Sequence, residues 1–305
     1  MQAWSLEHNQ FIQRDNEEVA LLPAQVRVSV EHLCLAPSDL EQAGACVPGA
    51  ALVGRVVETG AAASAWQDVR VLVPPLQSCG ECETCRCGFV GVCPSRVILG
   101  TDIDGACAET IVAHTRWVTP LSNGLEGISG IEAAFVAGPL LTAYGLFARA
   151  GTGAGDVVLV LGQGPVAAVL CHLAEIRGAK VLRAQSQDQA ISAIAEHNSQ
   201  KLPMRVLVCD GPQNCEVAVA VATSGSIVVS QLSQGALSVS ALLQSELTFV
   251  AIPFAHPDLL PETAAMVAKG DLAVSEFIVA EKLGVGSPEA AQNAFASGKC
   301  LIAHH

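Results

Sequence analysis

Residues 78–94 read SCGECETCRCGFVGVCP and hold five of the chain's 12 cysteines. Cys79, Cys82, Cys85 and Cys93 are spaced C-x2-C-x2-C-x7-C, which lets one loop wrap a tetrahedral ion with four thiolates at about 2.3 Å. Cys87 is left over. A four-thiolate shell gives zinc no open position, so such an ion shapes a loop and neither activates water nor polarises a substrate. Two other readings stay open. An iron–sulfur cluster also uses C-x2-C-x2-C and a closing Cys-Pro, here Cys93-Pro94, but with x3 where this chain has x7; the other reading is a thiol cluster without metal. The expectation is one structural zinc.

A second motif lies in VLVLGQGPVAAV, where Gly162 and Gly164 follow an apolar strand and open an apolar helix. Gly162 permits the tight turn and Gly164 lets the backbone approach a pyrophosphate. The helix start, from Pro165 and Val166 onward, offers free N–H groups and a positive dipole end. Ala167 at the third position is small enough for close helix-to-strand packing. The alternative is that the two glycines serve only the turn. About 20 residues on, an Asp or Glu would hold the ribose 2′-OH of NAD, but KVLRAQSQ places Gln185 there. Gln185, Ser186 and nearby Arg183 can instead accommodate a 2′-phosphate, so NADP is slightly preferred as the NAD(P) form. The competing reading leaves Arg183 and Ser186 simply solvated.

These residues need a scaffold. From residue 22 to about 120, short β-branched runs alternate with Pro and Gly, which predicts an antiparallel, barrel-like β domain. From about 130 the texture changes to GIEAAFVAGPLLTAYGLFARA, then DVVLVLG, PVAAVLCHLAEIRG, AKVLRA, QDQAISAIAEHN, MRVLVCDG, CEVAVAVATSG and SIVVSQL. Strands alternating with helices of this length predict parallel βαβ units in a doubly wound α/β sheet. The closing segment from Gly270 predicts one helix and a short strand that rejoins the first domain.

The bulk properties bound the function. A chain of 305 residues is at the size where single cores split, so two domains are expected. Lys+Arg 16 against Asp+Glu 29, a formal charge of −13, repels phosphate backbones and anionic lipid heads, so neither nucleic acid nor a membrane is the expected partner. The most hydrophobic stretch, residues 157–176, contains Gln163, Pro165, His172 and Glu175 and reads as buried core. The start, MQAWSLEHNQFIQRDNEE, carries no basic segment or apolar h-region, and the expected location is cytoplasmic. Disulfides are then improbable, and the scattered cysteines, such as Cys171, Cys209, Cys215 and Cys300, read as small buried hydrophobes.

SCGECETC…GVCP, DGACAETIV, LVLGQGPV and FASGKCLI together resemble the zinc-containing alcohol dehydrogenases of the medium-chain dehydrogenase/reductase superfamily, nearly end to end. The resemblance implies a GroES-like β-rich domain formed by residues 1–128 and 269–305, with a structural-zinc lobe at about 77–97. It implies a Rossmann doubly wound parallel-sheet domain at 129–268, and a homodimer through the edge of that sheet. Family members also carry a catalytic zinc, and here the match breaks. The C-x-[ST]-D segment is APSD, with Ala36 for the cysteine and Ser38 and Asp39 retained. The G-H-E segment is GAAL, with Ala50 and Ala51 for His and Glu. The third ligand position falls on Gly138. A rebuilt metal site from His32, Cys34 and Cys46 is weighed and disfavoured, because a shift of two residues moves a ligand about 6–7 Å. His114 reads as an ordinary strand histidine.

The activity this leaves is hydride transfer to or from a small-molecule substrate without a catalytic zinc, as in metal-free quinone and enone reductases of the superfamily. Ser38 occupies the family's proton-relay position and is the candidate catalytic residue; Asp39 reads as structural. The alternative is a catalytically degenerate nucleotide-binding or scaffold protein of the same fold.

Overall fold

A computed structural model describes residues 2–15, 19–41, 46–122, 125, 127–197, 204–210, 213–231 and 237–304. They form two compact units, Met1–Leu141 with His256–His305, and Thr142–Ala255.

The first unit is organised by the strand Gln25–Leu35, eleven residues rich in Val and Leu. One edge of it pairs antiparallel with Ala51–Thr59. Its length gives the other edge two successive antiparallel partners, Thr110–His114 against Gln25–Ser29 and Cys300–His304 against Leu33–Leu35. Cys300–His304 also pairs in parallel with Ile278–Lys282, and the crossover between them is the helix Ser287–Ala296. The C-terminal segment therefore closes the sheet begun near the N-terminus, in seven strands. Val26, Val28, Leu33, Leu52, Val56 and Leu301 form its core. A hairpin of Gln2–Glu7 and Gln10–Asp15 lies outside this sheet. Its two-residue turn, His8 and Asn9, has φ of 49° and 60°, the sign a twisted two-residue loop requires. The cysteine loop is pinched off by a short ladder, Leu76↔Ile98 and Gln77↔Val97.

The second unit is a five-stranded parallel sheet in the spatial order Lys180–Ala184, Val157–Leu161, Arg205–Val208, Ile227–Ser230, Thr248–Ala251. In chain order this is 2-1-3-4-5. The first strand is buried at all five positions, as a central parallel strand covered on both faces must be. The chain leaves it toward one side and then returns to the other, so the ends of Val157–Leu161 and Arg205–Val208 flank the point where ligands bind in such sheets. The fold is thus a β-rich domain plus a Rossmann-type doubly wound parallel-sheet domain, the α/β architecture expected from the sequence.

Residues 130–150 begin as the α-helix Gly130–Phe135, widen into a π turn at Val136–Leu140, and continue as the α-helix Leu141–Ala150. Pro139 within the turn has no N–H to give the preceding carbonyls, and a wider turn relieves the clash of its ring. By length and composition this stretch is apolar enough to cross a membrane, but 72% of its apolar window is buried inside the structure, as in a core helix. The unit boundaries lie at 141/142 and 255/256, not at 128/129 and 268/269. Gly130–Phe135 packs on Gln25–Leu35 and Ala51–Thr59, and Leu260–Ala268 packs on the π turn, so both helices belong to the β unit despite their α/β texture.

Gly49 has φ +106°, and a Cβ there would stand 2.9 Å from the backbone nitrogens of both Ala106 and Cys107. Gly88 has φ +85° with nothing within 4 Å. Gly49→Ala is expected to cost about 2–3 kcal/mol and Gly88→Ala about 1 kcal/mol in urea unfolding. Equal costs would contradict the close approach at Gly49.

Candidate functional site

The loop beyond the Leu76–Ile98 ladder brings its four cysteines together. The Sγ atoms of Cys79, Cys82, Cys85 and Cys93 lie within 4.8 Å of one another. Cys93 is 3.5 Å from Cys79 and 3.9 Å from Cys82, and Cys79 is 3.9 Å from Cys85. Four thiolates at about 2.3 Å from a tetrahedral ion stand about 3.8 Å apart, so the donor set fits zinc. The backbone is arranged to stabilise thiolates: Cys82 N–H donates to Cys79 Sγ at 3.3 Å, Cys85 N–H to Cys82 Sγ at 3.4 Å, and Cys79 N–H to Cys93 Sγ at 3.5 Å. The N–H groups of Glu81 and Cys82 pull the Cys79 thiol down to about 6. Cys87 is exposed and stands outside the set. Trp117 anchors the loop to the sheet domain by donating its indole N–H to the Ser78 carbonyl. Among the described residues this is the one group of three or more Cys, His, Asp or Glu whose ligand atoms converge.

A second constellation surrounds Asp39. The short helix Pro37–Glu41 carries Ser38 exposed and Asp39 buried. The Asp39 carboxylate accepts from Ala36 N–H at 2.7 Å and from Gly49 N–H at 2.9 Å, which ties the segment before it to the turn leading into Ala51–Thr59. Burial pushes this carboxyl up to about 6 against the pull of the Ala36, Gly49 and Ala50 N–H groups. The Ser38 hydroxyl has no hydrogen-bond partner among the described residues. Behind them, a Cβ on Gly138 would stand 3.3 Å from Cys34 Sγ and 3.5 Å from Ala51 Cβ. Residues 34, 51 and 138 therefore do converge, as thiol, methyl and bare backbone.

Cys34 is buried, and its thiol is raised by its contact with the Cys300 side chain and by burial. Cys46 is half-buried and is raised by burial. The His32 ring lies 5.8 Å from the His304 ring and its buried Nδ1 has no partner; burial and His304 hold it below the usual histidine range. His114 accepts Arg116 N–H at 3.2 Å and caps a single helical turn.

The glycine turn has the geometry its sequence predicts. Gly162 has φ +141° and Gly164 has φ +83° at the head of the helix Gly164–Ile176, which no side chain caps. Ala167 is fully buried. Pro165 lies in the first turn of this helix, where a missing N–H is tolerated but offers an anion nothing, leaving Val166 as a donor. Sequence reasoning missed Asp210. It follows the third parallel strand, and its carboxylate accepts the Gln163 N–H at 2.7 Å. Only position after a strand at the sheet's crossing point could have flagged it. Gln185 and Ser186 are drawn into local structure: Gln185 N–H donates to Gln189 Oε1 at 2.8 Å, and Ser186 Oγ caps the helix Gln187–Glu196 by accepting Gln189 N–H. Arg183 lines an open groove of about 390 Å³ with Asp188, Gln189, Ser192, Ala193 and Glu196. Neither Gln185 nor Ser186 lines it.

Residues 22–123 match the family described as the alcohol dehydrogenase GroES-like domain. A sorbitol dehydrogenase from Halalkalibacterium halodurans is 28% identical over 167 residues, which are 52% of this chain and 48% of that enzyme. The chain spans between about a third and a half of the length of the curated relatives it matches. Among solved structures, the alcohol dehydrogenase TADH from Thermus sp. ATN1 superposes with a TM-score of 0.85 at 20% identity, covering 100% of both chains. A zinc-binding dehydrogenase from Sinorhizobium meliloti 1021 bound to NADP gives a TM-score of 0.79 at 21% identity, covering 100% of this chain and 99% of that one.

The Asp39 environment predicts a signed pH dependence. A carboxyl at about 6 when folded and 3.8 otherwise binds more protons in the folded state between those values. Its contribution is fully present below about pH 4 and is lost as pH rises through about 6. Asp39→Asn removes that dependence and sets an amide NH2 against a backbone N–H, at about 1–3 kcal/mol. In urea unfolding from pH 4 to 7, the margin of the wild type over Asp39→Asn should be largest at pH 4 and shrink toward pH 6. A margin that grows over this range would contradict the assignment.

Proposed function

We propose that the chain is a member of the medium-chain dehydrogenase/reductase superfamily, as its alcohol dehydrogenase GroES-like domain and its structural likeness support, and that it is an NAD(P)-dependent oxidoreductase whose hydride transfer uses no catalytic zinc. The observation that carries this reading is the packing at Gly138, where two of the positions that would hold such a metal, 51 and 138, present a methyl and a bare backbone, and the sulfur beside them is the buried Cys34 thiol. An acceptor matched to this site is a quinone or activated alkene, whose reduction does not rely on a Lewis acid to lower an alcohol's pKa.

In this reading the turn at Gly162 and Gly164 and the helix start at Val166 hold the dinucleotide pyrophosphate. The coenzyme, when bound, supplies or accepts the hydride. Ser38, with a free and exposed hydroxyl, donates a hydrogen bond to the substrate oxygen, while Asp39 holds the Ser38 helix in place. Cys79, Cys82, Cys85 and Cys93 hold one structural zinc. A slight preference for NADP rests on Arg183, since Ser186 Oγ is already a helix cap and Gln185 is tied to Gln189. Asp188 and Glu196 in the same groove limit that preference by repelling a 2′-phosphate. A homodimer through the strand Thr248–Ala251 is supported by its edge position and by Val239 and Leu243 beside it in the chain, 68% and 74% exposed.

A second reading, a nucleotide-binding protein without turnover, is favoured by the strand end at Gln185, which offers no carboxylate to the ribose. The test is a titration with NADPH and NADH followed by nicotinamide fluorescence, then turnover with panels of quinones, enones and simple alcohols. The expected result is binding of both coenzymes, NADPH tighter by less than about tenfold, with turnover on quinones or enones and not on alcohols. Binding without turnover on any acceptor supports the second reading, and alcohol oxidation overturns the proposal.

A further inference from the structure

We propose that Asp210 is a titratable gate on the nucleotide turn, its carboxylate occupying the Gln163 N–H and opposing a dinucleotide's phosphates until it is neutralised. This rests on the nucleotide-binding reading of that turn and adds to it a residue that sets affinity.

Three observations place Asp210 at the gate. The topology puts the ends of Val157–Leu161 and Arg205–Val208 side by side, with Gly162 following one and Asp210 following the other. The Asp210 carboxylate accepts the Gln163 N–H at 2.7 Å, and Asn214 Nδ2 donates to the Asp210 carbonyl, so both ends of the residue are held. Finally, a Cβ on Gly162 would stand 2.7 Å from Asp210 Oδ1 and 2.8 Å from Cys209 Sγ. The space that the first glycine keeps clear is taken up in part by this carboxylate.

The consequence is electrostatic. A backbone N–H between the two glycines is engaged by an internal anion, and an approaching pyrophosphate meets a like charge in a half-buried setting where screening is weak. Among the described residues, the charged and titratable groups facing Asp210 are few. Arg183, on the edge strand beyond Val157–Leu161, is the cation acting on it and favours the carboxylate. Cys209 and, beyond it, Cys171 on the helix Gly164–Ile176 are held as neutral thiols by burial. Burial of Asp210 outweighs both Arg183 and the Gln163 N–H, and lifts its carboxyl above the ordinary range. Protonation therefore begins at milder acidity than for an exposed aspartate, and the carboxylic acid that results no longer repels phosphate. Coenzyme affinity should rise as pH falls.

The test is calorimetric titration with NAD+, whose pyrophosphate keeps its charge over the range, at pH 5 to 8 on the full-length wild type and on Asp210→Asn. The asparagine keeps an oxygen for the Gln163 N–H and loses the charge. The expected result is wild-type affinity rising severalfold from pH 8 to 5, and Asp210→Asn binding about tenfold tighter than wild type at pH 8 with a flat profile. Equal affinities and parallel profiles overturn the gate and leave the nucleotide reading standing, as does weaker binding by Asp210→Asn. Absence of binding by both proteins at every pH overturns the gate together with the nucleotide reading. Thermal unfolding checks that the variant is folded; if it is not, the wild-type profile decides alone, a flat profile overturning the gate.

Discussion

A single buried carboxylate fastens the part of the β domain where chemistry would occur. Asp39 joins the Ala36 N–H to the Gly49 N–H and so fixes the short helix carrying Ser38 against the entrance to Ala51–Thr59. The glycines around it leave no slack: a Cβ on Gly105 would stand 2.4 Å from the Gly49 carbonyl, and one on Gly100 3.2 Å from Asp39 Oδ1. Removing a carboxylate from water is costly, and the backbone donors offset only part of that cost, since burial still lifts the Asp39 carboxyl to about 6. These two hydrogen bonds give Asp39 a structural duty that does not depend on any metal.

The cysteine lobe and the surroundings of Gly138 differ in chemistry. At the lobe, four thiols stand at the spacing of a tetrahedral shell, with N–H groups directed at three of them. At Gly138, the contacts are those of ordinary core packing. Cys34 sits there as a buried thiol against Cys300, and a raised thiol is neither a ready nucleophile nor a ready ligand. The π turn at Val136–Leu140 brings the Gly138 backbone to this spot. Glycine fits because a side chain would meet Cys34.

Much of this was legible in the sequence, and what was not has physical reasons. The lobe was readable because ligand spacing on one loop is a local property. The strands Val157–Leu161, Arg205–Val208 and Ile227–Ser230 were readable because strands buried on both faces are near-continuous apolar runs, and the edge strand Lys180–Ala184 because it alternates with the helices on either side. Thr248–Ala251 was missed: it is an edge strand whose residues are exposed or half-exposed, so its apolar signal is weak. Ile278–Lys282 was missed for a similar reason, being mostly exposed and paired on one side. The N-terminal hairpin turns on His8-Asn9 in place of a glycine-bearing pair. The compact units divide at other residues than the limits read from texture, because helices packed on the β unit share the Ala/Leu texture of the nucleotide unit. Asp210 carries no motif at all; its meaning comes from the sheet order 2-1-3-4-5, which no local pattern encodes.

The central claim is that this chain keeps a metal that shapes it and presents no ligands for one that reacts. Elemental analysis of the purified protein tests this most directly. The account predicts one zinc per chain, lost when Cys82 and Cys93 are replaced by serine. Two zinc ions per chain, or a metal retained in that double variant, would contradict it.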